Sequence, residues 1–394
     1  MRFESQVALA IAAVMLGGSL LSDRRQRAGL SLALLGGLLV LMLRLSLHLK
    51  VPMGDYDNFV EDRDHFERYF GDAVGFQYHL GGAIVHLFDD WFGSTEHSPV
   101  RAFDALARVA AVLFVLGLGL FAVRERWSAR VLRYAALAIA VPTTLLFFGY
   151  HEFGHLPAAL DVVAVPLALV GLEQRRRPLV IAAGALAGVG AALHGFGLVG
   201  LGFIVVLVGA YLWRDEAARS ALGLGVPVGV AAAGLLGWLI WLPMYLIGAG
   251  WSIDPGHSDF SPLRPLFHSH IAEHRVVDPI FSTSVIKELG WELAVTGAAL
   301  VLLAAWFARR GPTRQALLIA TVPVLLFVIW FWPVQGIGND SDFLGSAFPA
   351  TYAAAWLIAN NLRASIIGFL ILVAGNAAMA HILTWGFVHS PIPQ

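Results

Sequence analysis

Two acidic residues, Asp55 and Asp57, stand in the string Gly54–Phe59, a few residues after a long apolar segment ends. If that segment spans a membrane, both carboxylates lie near the membrane surface. A carboxylate there is well placed to act as a general base, because partial loss of solvent raises its affinity for a proton. The alternative is structural, since Asp is a preferred N-cap where a helix begins. The residues alone therefore nominate a base and leave the capping role open.

A second group, His151, Glu152 and His155, has the spacing His-Glu-x-x-His. On a helix this spacing gives two zinc-binding imidazoles on one face and a carboxylate that activates water, as in metalloproteases. Pro157 follows directly and is typical of a first helical turn, so His155 is predicted to begin a helix rather than lie inside one. The group fits the lining of a substrate site better than a zinc centre, with ordinary interfacial residues as a third interpretation.

His194 lies in the reversal Leu193–Gly197 between two apolar runs. A single histidine at such a helix end is more often an interfacial residue than a ligand. It can still line one cavity together with His151 and His155, and we include it among the candidate substrate-binding residues.

The polar segment 249–289 contributes cations and imidazoles. Its candidate substrate-binding residues are Arg264, His268, His270, Arg275 and Lys287. Arginine binds phosphate oxygens bidentately and lysine binds them as a point charge, so this set can hold a phosphate. The alternative is that the cations pair with neighbouring Asp and Glu residues.

The last group is Asp340 and Asp342, where another apolar segment begins. The N-terminus of a helix favours anionic groups, so these aspartates can simply cap the helix. Charged groups at membrane depth are nevertheless functional candidates by default, and we expect both to contribute to substrate binding.

The elements that carry these groups are apolar helices. Of 394 residues, 58% are hydrophobic and 13% are charged, about half the charged share of a soluble domain. A chain of this composition needs the bilayer as its solvent, so we expect an all-α polytopic bundle of about 12 spans in a single transmembrane domain, 1–394. The candidate spans are 6–22, 29–48, 101–122, 131–149, 156–172, 178–193, 196–213, 222–248, 290–308, 315–332, 343–360 and 364–386.

Arginine placement predicts the orientation of the bundle. Alternate loops are rich in arginine, and by the positive-inside rule they face the cytoplasm, which puts both termini outside. These loops are 23–27, 124–133, 175–177, 214–219, 309–314 and the one at Arg363. The remaining loops are acidic and carry histidine. The two longest are the first outer loop, 49–100, and the large outer loop, 249–289. Within the first, the segment 76–92 has apolar residues at helical spacing, including Leu80, Ile84, Leu87 and Phe88, which predicts amphipathic helices along the interface.

Taken together, these strings resemble the GT-C superfamily of membrane glycosyltransferases, which use lipid-phosphate-linked sugars. Gly54–Asp57 is similar to the essential acidic position that this superfamily carries in its first large external loop. The other matching strings are Tyr150–Glu152, Ala191–Gly195, Phe260–Asp278 and Asp340–Leu344. The pattern departs from the superfamily at Ser341, where Trp is usual.

The resemblance implies transfer of a sugar from a polyprenyl-phosphate donor to a cell-envelope glycan, lipid or protein, on the extracytoplasmic face of the plasma membrane. Asp55 or Asp57 would be the base, and Arg264, Arg275 or Lys287 would hold the leaving phosphate. We expect no cofactor, although a divalent metal serves a minority of the superfamily.

Two other functions are compatible with the residues. A transporter or lipid-handling protein would carry polar groups near the membrane midplane, where the sequence offers only Arg44, Arg108 and Asp161. A zinc metalloprotease would use His151 and His155. The absence of cysteine excludes thiolate catalysis and disulfides, and a net charge of −1 gives no sign of nucleic-acid binding.

Overall fold

The computed structural model describes residues 3–45, 80–95, 98–141, 155–194, 197–239, 270–272, 275–277, 297–307, 311–335 and 347–385. The helices within these ranges are α1 (Phe3–Gly18), α2 (Arg24–Leu45), α3 (Leu80–Trp91), α4 (Ser98–Arg124), α5 (Ala129–Ala140), α6 (His155–Glu173), α7 (Arg177–Leu193), α8 (Gly197–Arg214), α9 (Glu216–Leu222), α10 (Val226–Leu239), α11 (Ala299–Phe307), α12 (Pro312–Gln335), α13 (Phe348–Ile358) and α14 (Leu362–Trp385). Two strands, β1 (His270–Ala272) and β2 (Arg275–Val277), form an antiparallel pair.

Local signals in the sequence explain several helix ends. Ser128 caps α5, since its hydroxyl accepts a hydrogen bond from the Val131 N–H at 3.3 Å. Asp215 caps α9 in the same way through the Ala218 N–H at 2.9 Å. The helix then ends at Gly223, whose φ of 85° lies in the left-handed region that glycine tolerates best.

The centre of the bundle is formed by α6 and α13. Every residue of α13, Phe348–Ile358, is buried. Its neighbours include α5, α6, α8, α11, α12 and α14, while α6 also packs against α4, α7 and α8. The apolar faces of the surrounding helices remain exposed on the outside of the bundle, as at Leu120, Val228 and Leu302, which are 71%, 71% and 74% exposed. A bundle that exposes large apolar side chains around its outside is suited to lipid.

Hydrogen bonds tie the arginine-bearing connections to one another. The Arg27 Nε–H donates to the Trp127 carbonyl at 2.9 Å, which joins the α1–α2 connection to the α4–α5 connection. Arg130 forms a bidentate pair with Glu173 at 2.6 and 2.8 Å, which joins the same place to the end of α6. These connections therefore lie at one end of the bundle, which we call the arginine end.

The other arginine-bearing connections belong to the same end. Arg133 donates to the Ala359 carbonyl at 3.4 Å, just before α14 begins. The side chains of Tyr211 and Thr313, at the end of α8 and the start of α12, are hydrogen-bonded. The alternation of connections predicted from arginine placement is thus present in the fold.

The predicted number of spans is only partly tested. Four helices are long and apolar enough to cross a membrane: Arg24–Arg44, Pro99–Arg124, Leu156–Glu173 and Gly197–Arg214. A fifth is formed if α9 and α10, which meet at 56°, are taken as one bent span. Shorter apolar helices occupy the other predicted positions within the described residues. The chain is therefore a polytopic helical membrane protein, and the count of 12 stays a prediction.

Three details differ from the expectations. The fold is all-helical except for the β1–β2 pair, where Ile271, Val276 and Val277 favour an extended backbone. The helix expected near residues 76–92 is present as α3, but Leu87 is 62% exposed, because Val85 is the residue that turns inward. Arg44 lies in the last turn of α2 and is exposed, so it is not a mid-span charge within the described part of that helix.

Candidate functional site

Most of the nominated side chains fall outside the described residues. These are Asp55, Asp57, His151, Glu152, Arg264, His268, Lys287, Asp340 and Asp342. The structure does describe the helix ends that flank several of them, together with His194 and the backbone at His155, His270 and Arg275. It therefore shows which elements would carry the site, and the roles of the nominated side chains stay predictions.

Three helix ends meet opposite the arginine end. The first turn of α6 meets the last turn of α7, where a Cβ on Gly190 would lie 3.5 Å from the Pro157 Cα. The first turn of α8 presses against the same turn of α7, since a Cβ on Gly197 would overlap the backbone of Gly190 and Ala191. Glycine permits these approaches by leaving no side chain between the backbones. The starts of α6 and α8 and the end of α7 consequently form one compact group, which we call the outer helix ends.

His155 and His194 belong to this group. His155 is the first residue of α6, as predicted from Pro157. His194 caps the end of α7: its N–H donates to the Gly190 carbonyl at 3.0 Å, and its own carbonyl accepts from the Gly197 N–H at 2.9 Å. The fold thus brings the end of the His151–His155 string and the His194 reversal together, as their helix-end positions suggested.

His194 is suited to hydrogen bonding rather than to charge pairing. Burial lowers the pKa of His194 to about 4, because the charged imidazolium is poorly solvated there. The ring is consequently neutral near pH 7. A neutral imidazole can donate one hydrogen bond and accept another, but it cannot balance the charge of a phosphate. Any cation for a phosphate would have to come from elsewhere.

The first outer loop reaches the same group through α3. This helix packs against α4 and also against α7, the helix that ends at His194. Asp89 on α3 is only 1% exposed, and Asp104 and Arg108 on α4 are partly buried. The sequence analysis missed Asp89; its position five residues after the buried Val85, on an otherwise apolar helix, was the available signal.

Asp161 is the acidic residue buried most deeply in α6. It is 3% exposed and lies six residues after His155. A Cβ on Gly200 would lie 2.7 Å from both of its carboxyl oxygens, so the side chain fills the space opposite that glycine on α8. The sequence singled it out only as a mid-span charge, because its partner on another helix cannot be read from the chain.

The β1–β2 pair brings two other candidates onto one element. Its register pairs His270 with Val277 and Ala272 with Arg275, so the two candidate positions lie near each other along a short hairpin. β1 lies against α12. The pairing is consistent with a shared role for this part of the large outer loop.

A zinc centre of the metalloprotease type finds no support in the described residues. The string that should lie inside a helix instead has the helix beginning at its last member, His155. Among the residues described, no group of three or more His, Asp or Glu side chains is arranged to hold a metal ion. His151 and Glu152 are outside that statement.

Comparison with known proteins identifies the fold. No protein-family description matches the sequence, and no curated protein matches it significantly. Among solved structures, the chain is similar to a helical membrane enzyme fold over 92% of its length.

The matching structures are those of ArnT from Cupriavidus metallidurans. The one bound to undecaprenyl phosphate matches with a TM-score of 0.54 at 16% sequence identity, and the one in the apo state with 0.53 at 20%. The chain spans 66% of the length of that protein. ArnT is a GT-C glycosyltransferase, so the GT-C resemblance drawn from the sequence is confirmed at the level of the fold.

Proposed function

We propose that this protein is a membrane glycosyltransferase that moves a sugar from a polyprenyl-phosphate donor to an acceptor on the extracytoplasmic face. The observation that carries the proposal is the fold, shared over 92% of the chain with ArnT, one of whose structures contains undecaprenyl phosphate. The gathering of the outer helix ends beside α3 supports it further, since a lipid-borne substrate must be met at one membrane surface.

The reaction needs two kinds of group. A base takes the proton of an acceptor hydroxyl, whose oxygen then forms a bond to the sugar carbon while the bond from that carbon to the phosphate oxygen breaks. The electron pair of the broken bond leaves with the polyprenyl phosphate. A cation nearby stabilises the charge that develops on the leaving phosphate.

We assign these roles to residues nominated from the sequence. Asp55 or Asp57 is the base, and Arg264, Arg275 or Lys287 holds the leaving phosphate. His151, Glu152, His155 and His194 would contact the donor or acceptor, with His194 acting as a neutral hydrogen-bonding group. His268, His270, Asp340 and Asp342 complete the candidate binding residues.

Removing both candidate bases is the direct test. In the purified protein in lipid nanodiscs, we expect Asp55→Asn/Asp57→Asn to lower sugar transfer from polyprenyl-phosphate donors by about 100-fold or more, because general-base catalysis is lost. Binding of polyprenyl phosphate should persist. The measurement is turnover of a panel of such donors beside lipid binding.

Asp64→Asn, in the same segment of the chain, is the matched control and should retain transfer. Unchanged transfer in the double variant would remove the assignment of the base. If the wild-type protein neither binds nor turns over any lipid-linked sugar, the glycosyltransferase proposal fails, and a transport assay becomes the next step.

A further inference from the structure

The buried carboxyl group of Asp161 has no part in the reaction proposed above. It lies in the apolar span Leu156–Glu173 and is 3% exposed. At 1.5 Å per residue, its Cα is about 9 Å along the helix axis from His155, the first residue of α6. An acidic group inside a span is costly, so its presence calls for a specific partner.

Its partner is the first turn of α8. A Cβ on Gly200 would lie 2.7 Å from both carboxyl oxygens and 3.0 Å from the Asp161 Cγ, so a larger residue at this position would displace the carboxyl group. Because Cα–Cβ bonds in a helix tilt toward its N-terminus, a group beside that Cβ position lies over the turn that begins at Gly197.

That turn suits an oxygen acceptor. The first four N–H groups of a helix have no acceptor within the helix, and the helix dipole makes this end positive. The Gly197 N–H is bonded to the His194 carbonyl at 2.9 Å, which leaves the following residues of the turn nearest to the Asp161 oxygens. The contact thus joins α6 to α8 by an acidic group set against a helix N-terminus.

The same turn is linked to the candidate site through the backbone. It follows directly after the His194 reversal, and it presses on the last turn of α7 at Gly190 and Ala191. The last turn of α7 in turn contacts Pro157, two residues after His155. A change in the spacing of α6 and α8 at Asp161 must therefore shift both histidine-bearing helix ends.

We propose that Asp161 is a positioning residue, whose carboxyl oxygens hold the first turn of α8 against α6 and so fix the His194 reversal beside the start of α6. The inference rests on the proposed function for its consequence, since these helix ends would meet the donor. It acts through position alone and does not touch the reacting atoms.

The decisive variant is Asp161→Leu, which keeps a side chain of similar volume and removes both oxygens. We expect amide hydrogen exchange in 198–200 to rise about tenfold, because the turn opens more often. We expect the KM for the lipid-linked donor also to rise about tenfold, with kcat little changed, because the binding residues are misplaced. Asp161→Asn, which retains one acceptor oxygen, should change both values by less than about threefold.

Volume alone is tested by a compensating pair. Asp161→Ala/Gly200→Ala fills the vacated space with the new methyl group and should recover the thermal unfolding midpoint without recovering protection of the turn. This pair also serves if Asp161→Leu fails to fold. Gly202→Ala is the control on α8, since no atom lies within 4 Å of its Cβ position.

The outcomes separate this inference from the proposed function. Unchanged exchange in Asp161→Leu overturns the role of the carboxyl group, whatever the enzyme does, because exchange needs no donor. Raised exchange with an unchanged donor KM overturns the link to the site. Equal effects of Asp161→Leu and Asp161→Asn overturn the account based on acceptor oxygens, as would recovery of protection in the compensating pair. Absence of transfer in the wild-type protein tests only the proposed function.

Discussion

At the scale of single residues, the arginine end shows how a charged side chain is used inside a membrane bundle. Arg130 makes its bidentate pair with Glu173, and its guanidinium carbon lies 3.7 Å from the centre of the Trp356 ring. Trp356 packs edge-on against Phe121 and Tyr134, with ring centres 5.3 and 5.6 Å apart. One arginine therefore connects α5, α6 and α13 where the central helix ends.

Loss of this arginine should weaken the fold. We expect Arg130→Ala to lower the free energy of unfolding by about 2 kcal/mol, because the bidentate pair and the cation–π contact are both removed. Arg130→Lys should recover only part of the loss, since an ammonium group cannot reproduce the planar bidentate geometry. Thermal unfolding in detergent, followed by tryptophan fluorescence, measures the effect.

Arg177→Ala is the matched control, because Arg177 is exposed in the first turn of α7 at the same end. Its unfolding midpoint should stay close to that of the wild-type protein. Equal losses in the Arg130 and Arg177 variants would show that the net positive charge of this end matters rather than the contacts of Arg130.

At the scale of elements, α7 and α10 cross with their backbones in contact. A Cβ on Gly184 would lie 2.6 Å from the Val230 carbonyl oxygen, and one on Gly188 would overlap the backbone of Gly234. A Cβ on Gly237 would lie 2.8 Å from the Ala185 carbonyl oxygen. Helices in lipid associate by close packing of small residues, because lipid chains are as apolar as leucine and give no hydrophobic drive. This crossing anchors the helix that ends at His194.

A single methyl group should open the crossing. We expect Gly188→Ala to lower the free energy of unfolding by about 3 kcal/mol, near the upper end for overpacking, because the new atom meets backbone that cannot rotate away. Gly202→Ala, on an open face of α8, should leave stability unchanged or raise it by up to about 1 kcal/mol through helix propensity. Unfolding of the two variants in matched detergent gives the comparison, and a neutral Gly188→Ala would contradict the packing account.

At the scale of the whole molecule, the fold sorts charge by end. Arginine side chains collect at the arginine end, where exposed Trp213 and Trp306, 77% and 82% exposed, stand near the ends of α8 and α11. Tryptophan is enriched at membrane interfaces, and arginine marks the cytoplasmic side. The outer helix ends lie at the opposite end, which therefore faces away from the cytoplasm in the predicted orientation.

The absence of native cysteine makes this orientation easy to test. Ser94→Cys, after α3, should react with a membrane-impermeant maleimide in intact cells. Ser220→Cys, exposed on α9 at the arginine end, should react only after the membrane is opened. The reverse labelling pattern would invert the topology and would also contradict an extracytoplasmic site.

The sequence by itself determined where the helices lie and how their connections alternate. A run of apolar residues long enough for the bilayer forms a helix whatever its neighbours, since its backbone groups must bond within the segment. Arginine at alternate connections likewise follows from composition alone. The start of α6 at His155 was readable from Pro157, because proline favours a first helical turn. The roles of Asp55 and Asp57 stay predictions made from the sequence.

Only the tertiary structure decided which helices are central and which groups meet. The sequence of α13 is no more distinctive than that of the lipid-facing helices, since lipid and protein neighbours select the same apolar residues. The contact of Asp161 with Gly200 joins residues far apart in the chain, and it exists because α6 and α8 approach closely enough to exclude any larger side chain. Inward-facing Val85 on α3 was decided in the same way, by the packing of α3 against α4 and α7.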